Sequence, residues 1–588
     1  MRKTKILATL GPTTNDTEVI KSLIRAGMNA ARVNFSHGTY ESHAEMINKL
    51  KEARDELDKP IPLVLDTKGP EIRIKKFAED KIYLAQGDKF TLTTEDIVGD
   101  KSRVSVTYGN LPVDVKVGSR VLIDDGLIEL KVESIAGAEI NCEVVNSGFL
   151  SSRKGVNVPD VYVNLPSLTE QDIKDIIFGI EMGFDFIAAS FIRSANDILK
   201  IREVLEENGG GNIQIIAKIE SRDGVNNLDT ILEVADGIMV ARGDLGVEIP
   251  PEEVPLVQKE LIKKSNLLGK PVITATQMLE SMVQNPRPTR AEANDVANAI
   301  FDGSDVIMLS GETANGSFPV EAVTMMARIA TKAEESIECY KGIDTARREM
   351  FKSNITNAIS FAACSSAADL NAACVVCITD SGFTSKMVSK FRPACPVVSV
   401  TGDRRVYRQL NLTWGCIPVW TEYINGNDEV FDMAEQKALE SGLARNGDAI
   451  IAVAGVPVGV AGTTNTLKVR IVGDVLVKGR AVGAQRTVNG SSRVIKVMDE
   501  TERFFKRGDI LVTTKTTDDM MPYIKKAGAI VVGTWENVDN SHAETVAKAL
   551  DIPLIIAKQR VTDSIPDGIA ITVDSKNGFV YNGYKETV

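Results

Sequence analysis

Charged side chains suited to bind a metal ion or a phosphate follow directly after short apolar runs in the first half of the chain. Lys218 and Glu220 end the run IQIIAKIE, and Asp244 ends the next run, GIMVARGD. Residues two apart in a strand point to the same side, so Lys218 and Glu220 share a face and Asp244 approaches from the neighbouring strand. Two carboxylates without His or Cys neighbours favour Mg²⁺ or Mn²⁺ as the bound ion.

Basic residues follow similar runs elsewhere in the first half of the chain. Arg32 lies within AARVNF, and Arg73 follows PLVLDT in the stretch DTKGPEIR. Basic side chains beside a divalent metal suit a substrate that carries a phosphate. Phosphoryl transfer needs this combination, because its catalysis rests on positioning and on neutralising charge at the equatorial oxygens. These residue types therefore indicate phosphoryl transfer.

Eight near-continuous apolar runs, each followed by turn or polar residues, must position these side chains. Such runs are typical of parallel strands buried on both faces, and amphipathic helical patterns separate most of them. Eight strands that alternate with helices predict a (β/α)8 TIM barrel, whose active site lies at the carboxyl ends of the strands. For any single residue the alternative is a structural ion pair at the barrel mouth, but six strand ends carry polar residues together, which favours a site. The runs are KTKILATL (3–10), AARVNF (30–35), PLVLDT (62–67), FIAASF (186–191), IQIIAKIE (213–220), GIMVARGD (237–244), PVITATQ (271–277) and DVIMLS (305–310).

Two helix starts within the predicted barrel are recognisable from their capping residues. The segment Thr14-Asn15-Asp16 fits the start of a helix that ends at Gly27. The segment Ser167-Leu168-Thr169-Glu170 fits a capping box that opens a helix running to about Met182.

Residues of a different character interrupt the barrel pattern between Gly69 and about Pro166. Alternating, turn-rich stretches such as KFTLTTEDIVGD predict short antiparallel strands in a small inserted β-barrel domain. Strands and helices alternate again from about 355 as an α/β domain, and short Gly-rich strands with a helix around 541–550 form a last β/α unit. The predicted division is a barrel at 1–69 and 167–340, an inserted lid at 70–166, an α/β C domain at 341–473 and a C-terminal extension at 474–588.

Composition and charge exclude several classes of protein. The 588 residues carry 68 Lys plus Arg against 80 Asp plus Glu, a formal net charge of −12, which argues against a nucleic-acid or anionic-membrane binder. The start, MRKTKILATLGPTT, lacks the apolar core of a signal peptide, and no run reaches the roughly 18 apolar residues of a membrane span. Seven Cys cannot all pair, and a chain of this length needs no disulfides. These features predict a soluble, multidomain, cytoplasmic protein.

A set of motifs in a fixed order identifies residues 1–473 as similar to the pyruvate kinase family. The motifs are ATLGP (8–12), ARVNFSHG (31–38), LDTKGPEIR (65–73), KGVN (154–157), AKIES (217–221), MVARGDLGVEIP (239–250), TATQMLESM (274–282) and MLSGETANG (308–316). Their number and order are specific, whereas any one of them alone is not. The resemblance implies transfer of the phosphoryl group of phosphoenolpyruvate to ADP, which gives pyruvate and ATP. It also implies a homotetramer with the C domain at its interface.

The resemblance implies roles for individual residues of the barrel mouth. Lys218 corresponds to the lysine that stabilises the phosphoryl group in flight, and Glu220 and Asp244 correspond to the ligands of Mg²⁺ or Mn²⁺. Thr276 corresponds to the hydroxyl linked to protonation of the enolate, and the backbone of Gly243 corresponds to the turn that binds the substrate carboxylate. The residues implied to contact the substrate are Arg32, Lys218, Gly243, Asp244 and Thr276.

Further residues are implied to bind the nucleotide and a potassium ion. The nucleotide contacts are Asn34, His37, Arg73 and, from the lid, Lys154. The monovalent-cation cage consists of Asn34, Ser36, Asp66 and Thr67, all of them oxygen donors as K⁺ requires. Glu71 is the residue of potassium-dependent members, since members with Lys at this place replace the ion with an ammonium group.

A hydroxyl-rich turn in the predicted C domain is a candidate regulatory site. Hydroxyls and Gly at a helix start bind phosphate readily, and the segment resembles the effector-phosphate loop of regulated pyruvate kinases. An ordinary N-capped turn has the same composition, so a phosphorylated small-molecule effector and a purely structural turn are both compatible with it. The residues concerned are Thr379, Ser381, Gly382, Thr384 and Ser385.

Other signals carry less functional meaning. Cys374 and Cys377 form a C-x-x-C, but they lie in an apolar run without a second Cys pair, so we interpret them as core residues. The glycines at 455, 459 and 462 lack the Lys-Ser/Thr of a Walker motif. His43 is expected on an exposed helix face.

The extension at 474–588 resembles the mobile phosphohistidine domain of phosphoenolpyruvate-utilising enzymes. His542, in the segment Asn540-Ser541-His542, corresponds to the phosphorylated histidine. The glycines usually found just before it are replaced by the residues at 536–539, and the chain has no ATP-grasp partner to load the histidine. A structural or regulatory role is therefore favoured over a phosphocarrier role.

Two other functions are compatible with parts of this pattern. A metal-dependent barrel lyase that forms an enolate also uses Glu, Asp and Mg²⁺, but it needs neither a lid nor a K⁺ cage, and ADP-dependent ATP formation distinguishes the two. An inactive regulatory homologue is the non-enzymatic alternative, and the intact set of Lys218, Glu220 and Asp244 argues against it.

Overall fold

Eight parallel strands close into a barrel in the computed structural model, which describes residues 1–336, 354–422, 429–456, 464–496, 505–533 and 541–584. Each strand pairs with its neighbours in sequence and the first pairs with the last, so the predicted (β/α)8 barrel is confirmed. The strands are β1 Lys5–Thr9, β2 Ala30–Asn34, β3 Leu63–Asp66, β4 Phe186–Ala189, β5 Gln214–Ile219, β6 Gly237–Ala241, β7 Val272–Ala275 and β8 Val306–Leu309.

Helices connect the barrel strands and pack on their outer face. All eight strands are buried or nearly so, because apolar side chains fill the barrel interior and a second apolar layer lies under the helices. Leu412, which follows the barrel in sequence, belongs to the interior core together with residues such as Leu7 and Phe186. The helical segments are Pro12–Thr14, Thr17–Ala26, Tyr40–Glu56, Glu170–Glu181, Ala195–Glu207, Arg222–Asn226, Leu228–Val234, Arg242–Glu248, Val254–Leu268, Glu280–Val283, Arg290–Asp302, Gly311–Ala314 and Pro319–Ser336.

The two predicted helix starts have different outcomes. Asp16 caps the first helix by accepting two backbone hydrogen bonds, and Gly27 ends it, as the sequence predicts. The capping box assigned to Ser167 and Glu170 is wrong by two residues, because Thr169 is the N-cap and its partner is Asp172. The hydroxyl of Ser167 instead donates to the carboxylate of Asp197, a partner that local spacing does not reveal.

The insert after β3 is a small β domain with its own core. Its strands form a six-stranded sheet and a two-stranded sheet around one apolar cluster, so the predicted small barrel is assembled from two sheets. The pairing is antiparallel except between Lys89–Thr93 and Arg103–Ser105, which run parallel. The elements are Lys81–Leu84, Lys89–Thr93, Arg103–Ser105, the helix Leu111–Asp114, Arg120–Ile123, Ile128–Ala136, Glu139–Val144, Gly148–Ser151 and Val156–Asn157.

The chain divides into two compact units, each built over its described residues. The first unit comprises the barrel and insert with 377–424 and 454–465, and the second comprises 366–376, 425–453 and 466–588. After the barrel, the first unit contains the parallel strand pair Val397–Thr401 and Cys416–Trp420. Its helices are Phe383–Ser389 and Arg404–Gln409, and the helix Ile355–Asp369 and the strand Cys374–Ile378 cross from one unit to the other. The predicted boundary at 341 lies outside the described residues.

The second unit ends in an eight-stranded mixed sheet. Four of its strands are parallel neighbours, and antiparallel strands complete both sides. In order across the sheet, the strands are Val475–Lys478, Phe579–Asn582, Ala570–Asp574, Thr487–Ile495, Ile510–Thr513, Ala529–Gly533, Leu554–Ala557 and Arg480–Val482. The other elements of this unit are Glu429–Glu440, Ala449–Ala454, Thr466–Ile471, Asp518–Met520, Met521–Ile524, Ser541–Ala549 and Val561–Ser564.

Two minor predictions are tested by these elements. Cys374 and Cys377 both lie buried in the strand Cys374–Ile378, which confirms their interpretation as core residues. Across the described residues, no helix is long and apolar enough to cross a membrane.

Candidate active site

Lys218 lies at the barrel mouth and contacts three side chains. Its ammonium nitrogen is 2.9 Å from Glu220 Oε1 and 3.2 Å from Asp66 Oδ1. It donates a further hydrogen bond to the hydroxyl oxygen of Ser190 at 2.7 Å. The other oxygen of Asp66 accepts a hydrogen bond from Arg32 Nε at 2.5 Å. One buried carboxylate thereby joins two of the cations that the sequence predicts for phosphate binding.

Opposite charges keep Asp66 and Lys218 ionised in this buried place. Burial alone would raise the pKa of the Asp66 carboxyl, but the charges of Arg32 and Lys218 outweigh it and lower that pKa below its usual value. Burial alone would lower the pKa of Lys218, but the carboxylates of Asp66 and Glu220 outweigh it and raise that pKa. The cluster therefore presents a protonated ammonium and an ionised carboxylate at neutral pH.

Glu220 and Asp244 form an acidic pair beside Lys218. Glu220 is 1% exposed, and burial raises the pKa of its carboxyl; Lys218 opposes this rise and Asp244 adds to it. Burial likewise raises the pKa of Asp244. Neighbouring carboxylates in a poorly solvated site repel each other, and a cation bound between them relieves that repulsion. The described part of the chain contains no group of three or more His, Cys, Asp or Glu suited to hold a metal.

Thr276 follows β7 in a left-handed backbone conformation, with φ +64°. A β-branched residue rarely adopts this conformation, so its surroundings must impose it. Arg242 donates to the backbone oxygens of Thr276, at 2.6 Å, and of the preceding residue, at 3.1 Å, and it pairs with Asp295 at 2.7 Å. The N–H of Gly243 donates to Thr276 Oγ1 at 3.0 Å. These contacts fix the Thr276 hydroxyl against the start of the helix Arg242–Glu248, which carries Asp244.

The four oxygen donors predicted to bind K⁺ lie at the ends of β2 and β3. Asn34 and Asp66 are direct partners in the register of these two strands. Asn34 Oδ1 accepts a hydrogen bond from the N–H of Ser36 at 3.0 Å, and Thr67 Oγ1 accepts one from the N–H of Ser190 at 3.1 Å. An all-oxygen set with one carboxylate fits a hard cation of low charge.

Comparison with known proteins shows the family to which the barrel belongs. The family model of the pyruvate kinase barrel domain matches residues 1–323. The chain belongs to the pyruvate kinase family. Models of the pyruvate kinase alpha/beta domain and of the mobile domain of PEP-utilising enzymes match residues 357–470 and 505–578.

The similarity to pyruvate kinases extends over the whole chain. It is 50% identical to a pyruvate kinase of Bacillus licheniformis and 49% identical to one of Geobacillus stearothermophilus, each over 585 residues and 99% of both chains. A crystal structure of a pyruvate kinase from Cryptosporidium parvum matches with a TM-score of 0.76 at 40% identity and covers 80% of this chain and 96% of that one. Both bacterial pyruvate kinases therefore align with the C-terminal extension as well as with the barrel.

Arg73 and Lys154, which the pyruvate kinase resemblance assigns to the nucleotide, are both paired with carboxylates. Arg73 is 2.7 Å from Glu71, and Lys154 is 2.9 Å from Asp124 within the insert.

A cavity of about 600 Å³ lies beside the ends of β1 and β2. Its lining includes Arg32, Asn34 and His37, three of the residues that the family resemblance assigns to phosphate and nucleotide. His43 lines it as well, so the prediction of an exposed His43 is wrong. This residue is 6% exposed and stacks on Phe35 with ring centroids 4.3 Å apart, because its helix turns that face towards the barrel.

The predicted effector residues divide into exposed and buried groups. Ser381 is exposed, whereas Thr379, Thr384 and Ser385 are buried. The hydroxyl of Thr384 is 2.9 Å from that of Thr464, a partner that the sequence did not indicate. The turn thus offers fewer free hydroxyls than its composition predicts. Of the three glycines compared above with a Walker motif, those at 459 and 462 lie outside the described residues.

His542 of the extension is held by two side chains. Its Nδ1 is 2.8 Å from the hydroxyl of Thr516, and its Nε2 is 3.1 Å from the carboxylate of Asp518. Both ring nitrogens of His542 thus have a side-chain partner in the structure. The substituted positions 536–539 lie outside the described residues.

Sequence reasoning missed one side chain of the barrel mouth, Ser190. The signal was present, since Ser190 lies near the end of the apolar run FIAASF, just as Lys218 and Asp244 lie at or near the ends of theirs. Only the structure shows that this hydroxyl contacts Lys218.

Proposed function

We propose that this barrel mouth transfers the phosphoryl group of phosphoenolpyruvate to ADP, giving pyruvate and ATP, as expected of a pyruvate kinase. The observation that carries the proposal is Lys218, held between Asp66 and Glu220 with Arg32 on the far side of Asp66. Two fixed cations and an acidic pair suit a phosphoryl group that passes between two oxygens, because catalysis of this transfer consists mainly of positioning and charge stabilisation.

Lys218 and Arg32 act on the migrating phosphoryl group. Asp66 accepts a hydrogen bond from each of them, which orients both cations. Charge on the equatorial oxygens grows as the group leaves phosphoenolpyruvate, and cations fixed beforehand stabilise that charge without reorganising.

Glu220 and Asp244 would hold Mg²⁺ or Mn²⁺, and Asn34, Ser36, Asp66 and Thr67 would hold K⁺. The fit rests on the chemistry of the donors. The first set has one buried and one partly buried carboxylate, both of raised pKa, and the second has oxygens with one formal charge. When bound, the ions neutralise charge on phosphate and enolate oxygens.

Thr276 and Gly243 serve the pyruvate half of the reaction. The backbone at Gly243 would bind the substrate carboxylate, and Thr276, whose Oγ1 accepts a hydrogen bond from the Gly243 N–H at 3.0 Å, would pass a proton to the enolate carbon. The strained turn at Thr276 supports this role, since such strain persists mainly at functional sites.

The cavity beside Arg32 is the place proposed for ADP. Its volume of about 600 Å³ lies within the usual range of ligand sites. Asn34 and His37 line it, while Arg73 and Lys154 would turn from Glu71 and Asp124 towards the phosphates. The insert would then act as a lid over the bound nucleotide.

Regulation, assembly and location are further parts of the proposal. The turn at 379–385 would bind a phosphorylated small molecule, chiefly through Ser381 and the backbone near Gly382, because the other hydroxyls are buried. The C domain would form the interface of a cytoplasmic homotetramer, and the domain boundaries given in the sequence analysis are retained.

One coupled assay tests the activity. Pyruvate formation from phosphoenolpyruvate is measured with and without ADP, Mg²⁺ and K⁺, and ATP is measured in parallel. We expect pyruvate and ATP in equal amounts and only with ADP present. Pyruvate release without ADP would point to a phosphatase or lyase instead.

A further inference from the structure

We propose that Ser190 is a positioning residue that aims the ammonium group of Lys218 at the migrating phosphoryl group. The inference rests on the role proposed above for Lys218. It adds a residue from the end of β4 to a site otherwise built from the ends of β2, β3, β5, β6 and β7.

The hydrogen bonds of Ser190 fix the direction of its hydroxyl. The side chain is buried, and its O–H donates to the backbone oxygen of Thr67 at 2.6 Å, while Asp66 Oδ1 is more distant at 3.4 Å. A hydroxyl has a single donor, so the oxygen is left to accept from Lys218 Nζ at 2.7 Å. The backbone N–H of Ser190 also binds Thr67 Oγ1 at 3.1 Å, which anchors the residue at two points.

The neutral charge of Ser190 distinguishes it from the other partners of Lys218. Asp66 and Glu220 attract the ammonium group but also neutralise it. A hydroxyl holds the same group in place and leaves its positive charge available to developing charge on the substrate. Ser190 therefore orients Lys218 without weakening it.

The strained turn that starts at Ser190 also orients Glu220. Phe191 has φ +57°, rare for a bulky residue, and its N–H donates to Glu220 Oε2 at 2.5 Å. Gly69 makes the turn possible, because a Cβ there would lie 2.8 Å from both the Phe191 ring and the Cβ of Ser190. One turn thus fixes both Lys218 and the carboxylate beside it.

Ser190→Ala tests the inference, with kcat and the KM for phosphoenolpyruvate measured separately. We expect kcat to fall by about tenfold or more while KM changes by less than about threefold, since the aimed charge acts mainly in the transition state. Ser190→Cys should behave similarly, because sulfur is a weak acceptor; it also serves if the alanine variant does not fold. The matched control is Ser304→Ala. Ser304 is a buried serine just before β8, and its hydroxyl oxygen lies 2.7 Å from that of Thr274.

The other outcomes discriminate between the proposals. Unchanged kcat in a folded Ser190 variant, with Lys218→Met strongly impaired, overturns the role of Ser190 alone. Near-normal kcat in Lys218→Met overturns the proposed function of the site itself. An equal loss of kcat in Ser304→Ala, or a loss matched by a large fall in thermal midpoint, shows a structural effect and also overturns the inference.

Discussion

The ammonium nitrogen of Lys218 lies 2.9 Å from the carboxylate of Glu220, two positions further along the chain. In the proposed reaction each has another partner, the phosphoryl group for Lys218 and a divalent cation for Glu220. We therefore expect these two groups of opposite charge to separate when substrate and metal bind. Asp66 and Ser190 also contact Lys218 and can keep the ammonium group in place when Glu220 binds the metal.

Removing either member of this pair should abolish most of the activity. Lys218→Met deletes the cation that faces the phosphoryl group, and Glu220→Gln deletes charge from the proposed metal site. We expect turnover to fall by at least ~10² in each variant, because each loses a charged group aimed at transition-state oxygens. Steady-state kinetics of the purified variants measure this effect.

Matched surface variants control for the change of residue type. Lys332→Met alters a lysine that is 84% exposed, and Glu260→Gln alters a glutamate that pairs only with Lys264 among the described residues. Both should retain full turnover. Near-normal turnover of folded Lys218→Met or Glu220→Gln would contradict the assignment of the site.

Activity should depend on K⁺. Asp66 contributes one negative charge to the proposed cage and Glu71 lies nearby in sequence, so an empty cage leaves negative charge where phosphate must bind. Replacing K⁺ by a large organic cation should suppress turnover, and Glu71→Lys should partly restore it by supplying an ammonium group.

Glu71→Lys both removes a carboxylate and adds an ammonium group, and Glu71→Gln distinguishes these two effects because it only removes the charge. It breaks the pair with Arg73 at 2.7 Å but supplies no cation, so it should remain dependent on K⁺. A rise in thermal midpoint on adding K⁺ gives a second readout. Full wild-type activity without K⁺ and Na⁺ would refute the cage.

Ser381→Asp should abolish activation by phosphorylated effectors. Ser381 is the exposed hydroxyl of the turn, and a carboxylate there repels a phosphate. Maximal turnover at saturating phosphoenolpyruvate should survive, because the barrel is unchanged. An effector acts only if it binds one state better, and about 1.4 kcal/mol of coupling gives a tenfold change in affinity.

The concentration of phosphoenolpyruvate at half-maximal rate, with and without sugar phosphates and nucleotide monophosphates, measures this coupling. Ser134→Asp, at an exposed serine of the insert, is the control. Persistent activation of Ser381→Asp by every such compound would place the regulatory site elsewhere.

His43→Leu should make the protein less sensitive to mild acid. Burial lowers the pKa of His43, although the backbone of His37 and the charge of Asp175 oppose this. The unfolded chain then takes up a proton more readily than the folded one, so the free energy of unfolding falls as the pH drops below about 6.5 and stops falling below the folded-state pKa.

Thermal midpoints at about pH 7.5 and about pH 5.5 measure this loss of stability. The wild-type midpoint should fall further than that of His43→Leu, because leucine keeps the packing on Phe35 without taking up a proton. Equal falls in both proteins would show that His43 does not titrate in this range.

The local sequence pattern was sufficient to predict features that depend on a single strand or on neighbouring strands. The apolar runs predict the eight barrel strands, because parallel strands covered on both faces need almost continuous hydrophobicity. Alternation within a strand places Lys218 and Glu220 together, and strand order brings Asp244 to them. These relations follow from local geometry and from the adjacency of successive strands.

The tertiary structure alone decided the remaining features, because they depend on contacts between distant residues. Ser190 meets the backbone oxygen of Thr67 across 123 positions of sequence. His43 is buried because Phe35 covers its ring. Thr169 is the N-cap in place of Ser167, because the Ser167 hydroxyl donates to Asp197 instead. The sequence determined which helices and strands form and which strand ends carry charged residues. Packing determined which hydroxyl, ring or carboxylate each side chain contacts, since those partners become neighbours only after the chain has folded.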